Sequence, residues 1–464
     1  MAQITVERVK ELLAREEKNY AASCPRSKKL YEEARKYYVG GVPMSWMRIW
    51  PGAFPVFVKE ANGARLIDVD GNEYVDLCLG DTGALLGHSP PELIGPLTEQ
   101  LQKGITTMLP GEDCIWVGKE LASRFGLPYW QILMTASDAN RMALKVAREL
   151  TGRRLILAFN ASYHGSVDET LVVDFLGNLM HIPGSMGPLV EDPSKMTRIV
   201  EFNDIDALEE ALASKEIACV ITEPVMTNVG IIHPEPGFHE ALRSLTRKYG
   251  TYLLIDETHS ICGGPAGMTG ELGLEPDIFV LGKPVAGGYP AAVLGFSSEI
   301  AEALAGRVPW HSFFGFGGTL SGNPAAVAAI RATLSTLLTR EAFERMIPLA
   351  EKMEERIAAV INKYKLPWYV ARIGCRVEFR FLSKPPRCGR DTLMEEVDYN
   401  AVDLITEGLT GPLEALFHLY CTNRGILLSP VHDMALVSPY TTEEEADHYV
   451  KTIEACIEEL TAES

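Results

Sequence analysis

Residues 251–296 read TYLLIDETHSICGGPAGMTGELGLEPDIFVLGKPVAGGYPAAVLGF. Three apolar runs within them, TYLLI, DIFVL and AAVLGF, are rich in Val, Ile and Leu and show no polar face. That is the pattern of strands buried on both sides. The first run ends in Asp256-Glu257 and the second in Lys283. Ligands of open α/β sheets bind at the carboxyl ends of the strands, so these endings are where chemistry is expected. A carboxylate there is partly desolvated and needs a partner: a metal, an arginine or a protonated ring nitrogen. A helix cap or a salt bridge would satisfy it equally. An amine in an apolar pocket has a lowered pKa and can form a Schiff base, whereas most lysines are simply solvated. Pro284 and the pair Gly287-Gly288 keep the chain beyond Lys283 from continuing as helix.

The same pattern extends upstream. QILMT, LILAFN and IACVITEP are further short apolar runs, and helical patterns alternate with them from about residue 115 to 300. Such alternation implies a mostly parallel α/β sheet. After QILMT, a helix is expected to begin near Asp138. Ala139, Met142, Ala143, Val146, Ala147 and Leu150 then fall on one face. Ser137 at this start is placed to hold a phosphate, or Ser137 or Asp138 is a plain N-cap. Tyr163-His164 follow the next run, and an aromatic there stacks on a flat ligand or packs in the core. Glu223 follows IACVIT, and Thr319 follows a Gly-rich turn in FFGFGGTLSGNP.

The flanks read differently. Residues 5–38 predict two polar helices, the first with a stripe of Val6, Val9 and Leu13. Residues 55–79 predict short strands around Asn62-Gly63 and Asp70-Gly71. Beyond Pro324 a long helix is expected to about residue 361, then an α+β region. The resulting division is 1–75, an N-terminal segment packing with the small domain; 76–335, a large domain with the mostly parallel α/β sheet; and 336–464, a smaller C-terminal α+β domain. Hydrophobic residues make up 47% and charged residues 23%, enough apolar content for a large core. A net charge of −19 argues against nucleic acid or a membrane surface as partner. Nine cysteines without a CxxC spacing suggest no metal site and no disulfide framework. They fit a cytoplasmic location, as does a charged N-terminus lacking the apolar core of a signal peptide. The uncharged run 308–330 holds six Gly/Pro residues, so a loop-rich segment is expected, not a membrane span.

Taken in order, SYHGSVDETLV, FNDIDALEEAL, VITEPVMTNVGIIHPEPGF, LLIDE, VLGKPVAGGYP and GTLSGNP resemble the class III aminotransferases of the fold-type I pyridoxal-phosphate enzymes. The branch most alike is that of glutamate-1-semialdehyde aminomutase and the β-amino-acid transaminases, from about Gly40 to the C-terminus. The resemblance implies a homodimer with shared active sites and pyridoxal 5′-phosphate bound to Lys283. It implies that Asp256 pairs with the pyridine nitrogen. Tyr163 and Thr258 would flank the ring, and Ser137 and the amide of Asp138 would hold the phosphate. Thr319 would reach the neighbouring subunit's phosphate, Glu223 would lie on the 3′-oxygen side, and His164 would support the loop. The activity implied is amino-group transfer between an amine or amino acid and an oxo acid, with Lys283 shuttling the proton. The alternative is an ammonia-lyase or aminomutase.

Four departures qualify the resemblance. The family's Gly-Thr-Glu-Ala is Ala136-Ser137-Asp138-Ala139. The apolar residue after Asp-Glu is Thr258, followed by His259, placed at the cofactor or capping a helix. The C-terminal stretch SPVHDMALVSP offers Met434 where aminomutases have a glutamate, and no mobile arginine, which counts against both an aminomutase and an ordinary ω-transaminase. Near Gly40-Gly41, Met44 replaces an arginine. Trp46, Arg48 and Trp50 are then the substrate candidates, with Arg376 another anion candidate or a member of an ion pair.

Overall fold

The computed structural model describes residues 4–182, 191–307, 315–394, 411–430 and 432–462. The chain forms two compact units. One comprises Met1–Pro90, Glu341–Pro385 and Glu395–Ser464; the other comprises Pro91–Arg340 and Pro386–Met394.

The first unit opens with helices Val6–Ser23 and Pro25–Ala34. The buried stripe of the first helix runs through Val9, Leu12, Glu16 and Tyr20, and the expected Val6 and Leu13 are only half-buried. Strands β1 (Val58–Asn62), β2 (Arg65–Asp68) and β3 (Glu73–Asp76) form an antiparallel meander. Gly63 and Gly71, at φ 56° and 92°, turn its hairpins.

The second unit is built on a seven-stranded sheet. Its strands are β4 (Tyr129–Leu133), β5 (Leu155–Phe159), β8 (Thr197–Val200), β9 (Ile217–Thr222), β10 (Tyr252–Asp256), β11 (Ile278–Leu281) and β12 (Ala292–Phe296). Between β5 and β8, β6 (Val172–Phe175) and β7 (Asn178–His181) pair as a separate hairpin. The spatial order is β4-β12-β11-β10-β9-β5-β8. β12 runs antiparallel to both neighbours; β11, β10, β9, β5 and β8 pair in parallel. Helices cover both faces, which is why β5, β9, β11 and β12 are buried along their whole lengths. One face packs Leu254, Ile221 and Ile156 with Ala139, Ala143 and Ala147 of helix Ala136–Thr151. The other packs Leu253, Ile255 and Val220 with Leu208, Leu212, Phe238 and Leu242. Successive strand residues face opposite sides, so Asp256 falls on the side of Leu254, toward helix Ala136–Thr151.

The stretch beyond Pro324 is not one helix. Helix Pro324–Ala332 passes into a π-turn, Thr333–Leu337, and a new helix, Arg340–Tyr364, follows. Pro324–Ala332 also means that the uncharged run 308–330 is partly helical; its residues 308–314 lie outside the described residues, with Phe313 and Phe314 of the Gly-rich motif. Among the described residues, no helix is long and apolar enough to cross a membrane.

The first unit closes with β13 (Tyr369–Ile373), β14 (Arg376–Arg380), β15 (Ile426–Leu427) and β16 (Met434–Leu436). β15 joins β3 in parallel, while β13, β14 and β16 form an antiparallel sheet. Met434, expected in a loop, is a buried strand residue whose Cα faces that of Glu378. Arg376 is an ion-pair member: it is 1% exposed and donates to Glu378 Oε2 at 2.9 Å. Burial works against the Glu378 charge, but His432, Arg376 and Arg380 overcome it and hold its carboxyl far below the usual range. Trp46 and Arg48 lie on the turn Ser45–Arg48, Trp46 exposed and Arg48 with its guanidinium 5.8 Å from the Tyr31 ring centre. Trp50 packs on Leu66, Tyr74 and Leu427.

Candidate active site

The second unit gathers the sequence-derived candidates at the carboxyl ends of its parallel strands. Register aligns Ile221 with Ala158, Thr222 with Ile255, and Asp256 with Val280. The residues that follow these strands, Tyr163, Glu223, Thr258 and Lys283, therefore emerge along one edge.

Asp256 is 4% exposed and has three partners. Oδ2 accepts from Asn140 Nδ2 at 2.8 Å and lies 3.0 Å from His164 Nδ1. Oδ1 accepts from the Thr258 amide at 3.1 Å. Burial opposes the charge, but His164, Thr258 and Asn140 outweigh it and keep the carboxyl below its ordinary range. Asn140, which the sequence reading did not single out, also donates to the His164 carbonyl at 3.1 Å. It thereby ties the helix, the Tyr163-His164 loop and β10 together. Its only signal in sequence is an amide next to the apolar face beginning at Ala139.

Lys283 opens a short turn, Lys283–Ala286, directly after β11. Its φ of 47° is a left-handed conformation that a side chain adopts only at a cost. Two contacts hold it there. The Gly282 amide donates to Thr258 Oγ1 at 3.3 Å, which gives Thr258 a hydroxyl role that an apolar residue cannot fill. A Cβ on Gly282 would stand 2.9 Å from that of Ala136, so glycine lets the lysine turn close on the helix start. The half-buried Lys283 Nζ lies 2.7 Å from His259 Nε2. His259 has no side-chain capping bond to the turn Ser260–Gly263 that follows it.

The helix starts earlier than expected, at Ala136, and its N-cap is Thr135. Thr135 Oγ1 accepts from the Asp138 amide at 3.1 Å and donates to Asp138 Oδ2 at 3.0 Å. The cap is thus neither Ser137 nor Asp138, and the Asp138 amide is engaged within the turn. Ser137 Oγ accepts from the Ser166 amide at 3.1 Å. Gly165, at φ 86°, passes so close that a Cβ would lie 2.1 Å from Ser137 Oγ. Glu223 accepts from the Thr227 amide at 3.2 Å, from Asn228 Nδ2 at 3.0 Å and from the Thr227 hydroxyl. Burial pushes its carboxyl up against the pull of His164 and Thr227. Tyr163 is half-buried beside this cluster in sequence, and Thr319 is exposed on the turn after Gly317. Trp46, Arg48 and Trp50 belong to the first unit.

The donor set fits pyridoxal phosphate. Asp256 is ionised although buried, which suits a protonated ring nitrogen. Among the described residues, His164 Nε2 and Asn140 Oδ1 beside it are buried polar atoms without a hydrogen-bond partner. A helix N-terminus with a hydroxyl, and an amine at a strand end, complete the set.

Comparison with known proteins agrees. The class-III aminotransferase family model matches residues 48–457. The chain is 32% identical to glutamate-1-semialdehyde 2,1-aminomutase of Persephonella marina, over 94% of this chain and 99% of that protein. It superposes on a glutamate-1-semialdehyde-aminomutase from Pseudomonas aeruginosa PAO1 with TM-score 0.92 and 45% identity, covering 98% and 99% of the two chains; a lysine-to-alanine variant of such an enzyme from the same organism is known in complex with PMP. An omega-transaminase from Sphaerobacter thermophilus gives TM-score 0.83 and 25% identity, covering 94% and 98%. The chain belongs to the class III aminotransferases, fold-type I enzymes with pyridoxal 5′-phosphate as cofactor.

Proposed function

We propose that the chain is an aminomutase, moving an amino group between neighbouring carbons of one small amino aldehyde of the glutamate 1-semialdehyde kind. The end-to-end likeness to two aminomutases, at 45% and 32% identity, carries this reading. It takes the place of transfer between two substrates, the activity that the sequence resemblance implied, and it runs against the Met434 departure, which counted against an aminomutase and an ordinary ω-transaminase alike. Met434 lies inside a strand, so its side chain is a core choice rather than a statement about a substrate loop.

In this reading Lys283 bonds the cofactor through its amine and carries the proton to and from the substrate carbon. Asp256, kept ionised by His164, Thr258 and Asn140, pairs with the ring nitrogen. When bound, pyridoxal phosphate supplies an electron sink for the pair left by the broken C–H bond. Tyr163 and Thr258 would flank the ring, Ser137 and the helix start would hold the phosphate, and Glu223 would lie on the 3′-oxygen side with His164 supporting the loop. Thr319 would serve the phosphate of a second copy in a cytoplasmic homodimer.

The test is to give the loaded enzyme glutamate 1-semialdehyde alone and follow products by NMR. The expected result is the isomer with its amino group moved from carbon 2 to carbon 1, with no second substrate. Turnover only after an oxo acid is added would replace this reading by transamination. Accumulating ammonia would replace it by a lyase.

A further inference from the structure

We propose that His259 is the proton acceptor that makes Lys283 a nucleophile. The inference rests on the reading of Lys283 as the residue that bonds the cofactor, and extends it to the group that prepares the amine. Nζ and Nε2 are 2.7 Å apart, a hydrogen-bond distance that ammonium and imidazolium cannot share with both charges present. One proton therefore lies between them, and its position decides whether the amine has a free electron pair. The approach is built into the backbone. His259 is three residues past Asp256, and the residue between Glu257 and His259 is Thr258, whose hydroxyl binds the Gly282 amide. The left-handed Lys283 is the next residue in the chain. The strap that joins the two strand ends thus also sets the two side chains against each other.

The proton balance is complete without another reactant. The Lys283 ammonium passes one proton to His259 Nε2. The freed electron pair bonds the aldehyde carbon of the cofactor, and the carbon–oxygen double bond breaks as a carbon–nitrogen double bond forms. Oxygen leaves as water with one proton from the amine and one returned by the imidazolium, and the nitrogen keeps its last proton and the positive charge. No oxidant or reductant is needed.

The experiment follows covalent capture of pyridoxal phosphate by the cofactor-free protein, read as growth of the visible band and by borohydride trapping. His259→Ala and His259→Gln are compared with the unaltered chain, after circular dichroism and melting curves establish that both fold. Gln keeps a hydrogen-bond acceptor but cannot carry the proton. Both variants are expected to capture about 10²-fold more slowly, the lower edge of what a positioned proton acceptor supplies. Added imidazole should restore the rate in His259→Ala and leave His259→Gln slow. An unaltered rate in His259→Gln, or no rescue of His259→Ala, overturns the proposal. Lys283→Ala is the separate control: covalent capture persisting there would overturn the assignment of Lys283 itself, whatever His259 does.

Discussion

Asp256 and Glu257 are neighbours in the chain with opposite electrostatic fates. Asp256 faces helix Ala136–Thr151, where three donors overcome burial. Glu257 turns to the segment Gly267–Thr269, taking the amides of Met268 at 2.6 Å and Thr269 at 3.1 Å and the Thr269 hydroxyl. Burial dominates there and pushes its carboxyl up to about 7. A folded pKa above the unfolded 4.5 means that its contribution to stability is full below about 4.5 and is lost as pH rises to about 7, on the order of 3 kcal/mol. Asp256 has the opposite sign, its contribution being lost only as pH falls below the ordinary 3.8. Melting curves between pH 4.5 and 8 should show a decline that Glu257→Gln flattens; equal slopes in both proteins would reject this account. Asn140→Leu removes one hydrogen bond to a buried charge, worth about 1.5–3 kcal/mol. If that charge serves the cofactor, equilibrium dialysis should find pyridoxal phosphate held about 10- to 100-fold more weakly.

At the scale of elements, the decisive joint is between helix Ala136–Thr151 and the loop that holds Gly165. Gly165→Ala introduces a Cβ into the space of Ser137 Oγ at a φ that L side chains avoid. It should cost about 1–3 kcal/mol and release cofactor readily, checked by melting temperature and retained absorbance on gel filtration. Thr135→Ala removes the cap and should cost about 1 kcal/mol, whereas Ser137→Ala should spare the helix; calorimetry of both separates the cap from its neighbour. Six of the seven strands of the large sheet were readable as apolar runs: β5, β9, β11 and β12 are buried along their whole lengths and β10 along most of it, while β4, at one end of the sheet and mostly half-buried, was readable from its apolar QILMT alone. The seventh, β8, escaped: TRIV is short and only half-buried at the sheet's end. The break after Ala332 escaped too, because TLSTL keeps apolar spacing through a π-turn. Asn140 was hidden for another reason. Its partner Asp256 is 116 residues away, and no local pattern records a pairing made by the fold.

For the whole molecule, the 43 basic and 62 acidic side chains leave a repulsive surface, so any self-association must be driven by a specific face. The homodimer reading predicts twice the 51.0 kDa chain mass by light scattering, before and after raising salt. A monomer at working concentration would remove the role given to Thr319. The parallel sheet has one more consequence, and it concerns time. Strands that run the same way cannot pair until the crossover between them is in place, so their registration is slow relative to local helix formation. Ser137, Tyr163, Glu223, Asp256 and Lys283 become neighbours only when that registration is finished. If these residues hold the cofactor, its yellow colour is a clock on the chain's own assembly. A nascent polypeptide stalled before Lys283 leaves the ribosome would stay colourless, and the onset of colour during refolding would mark the moment the sheet locks.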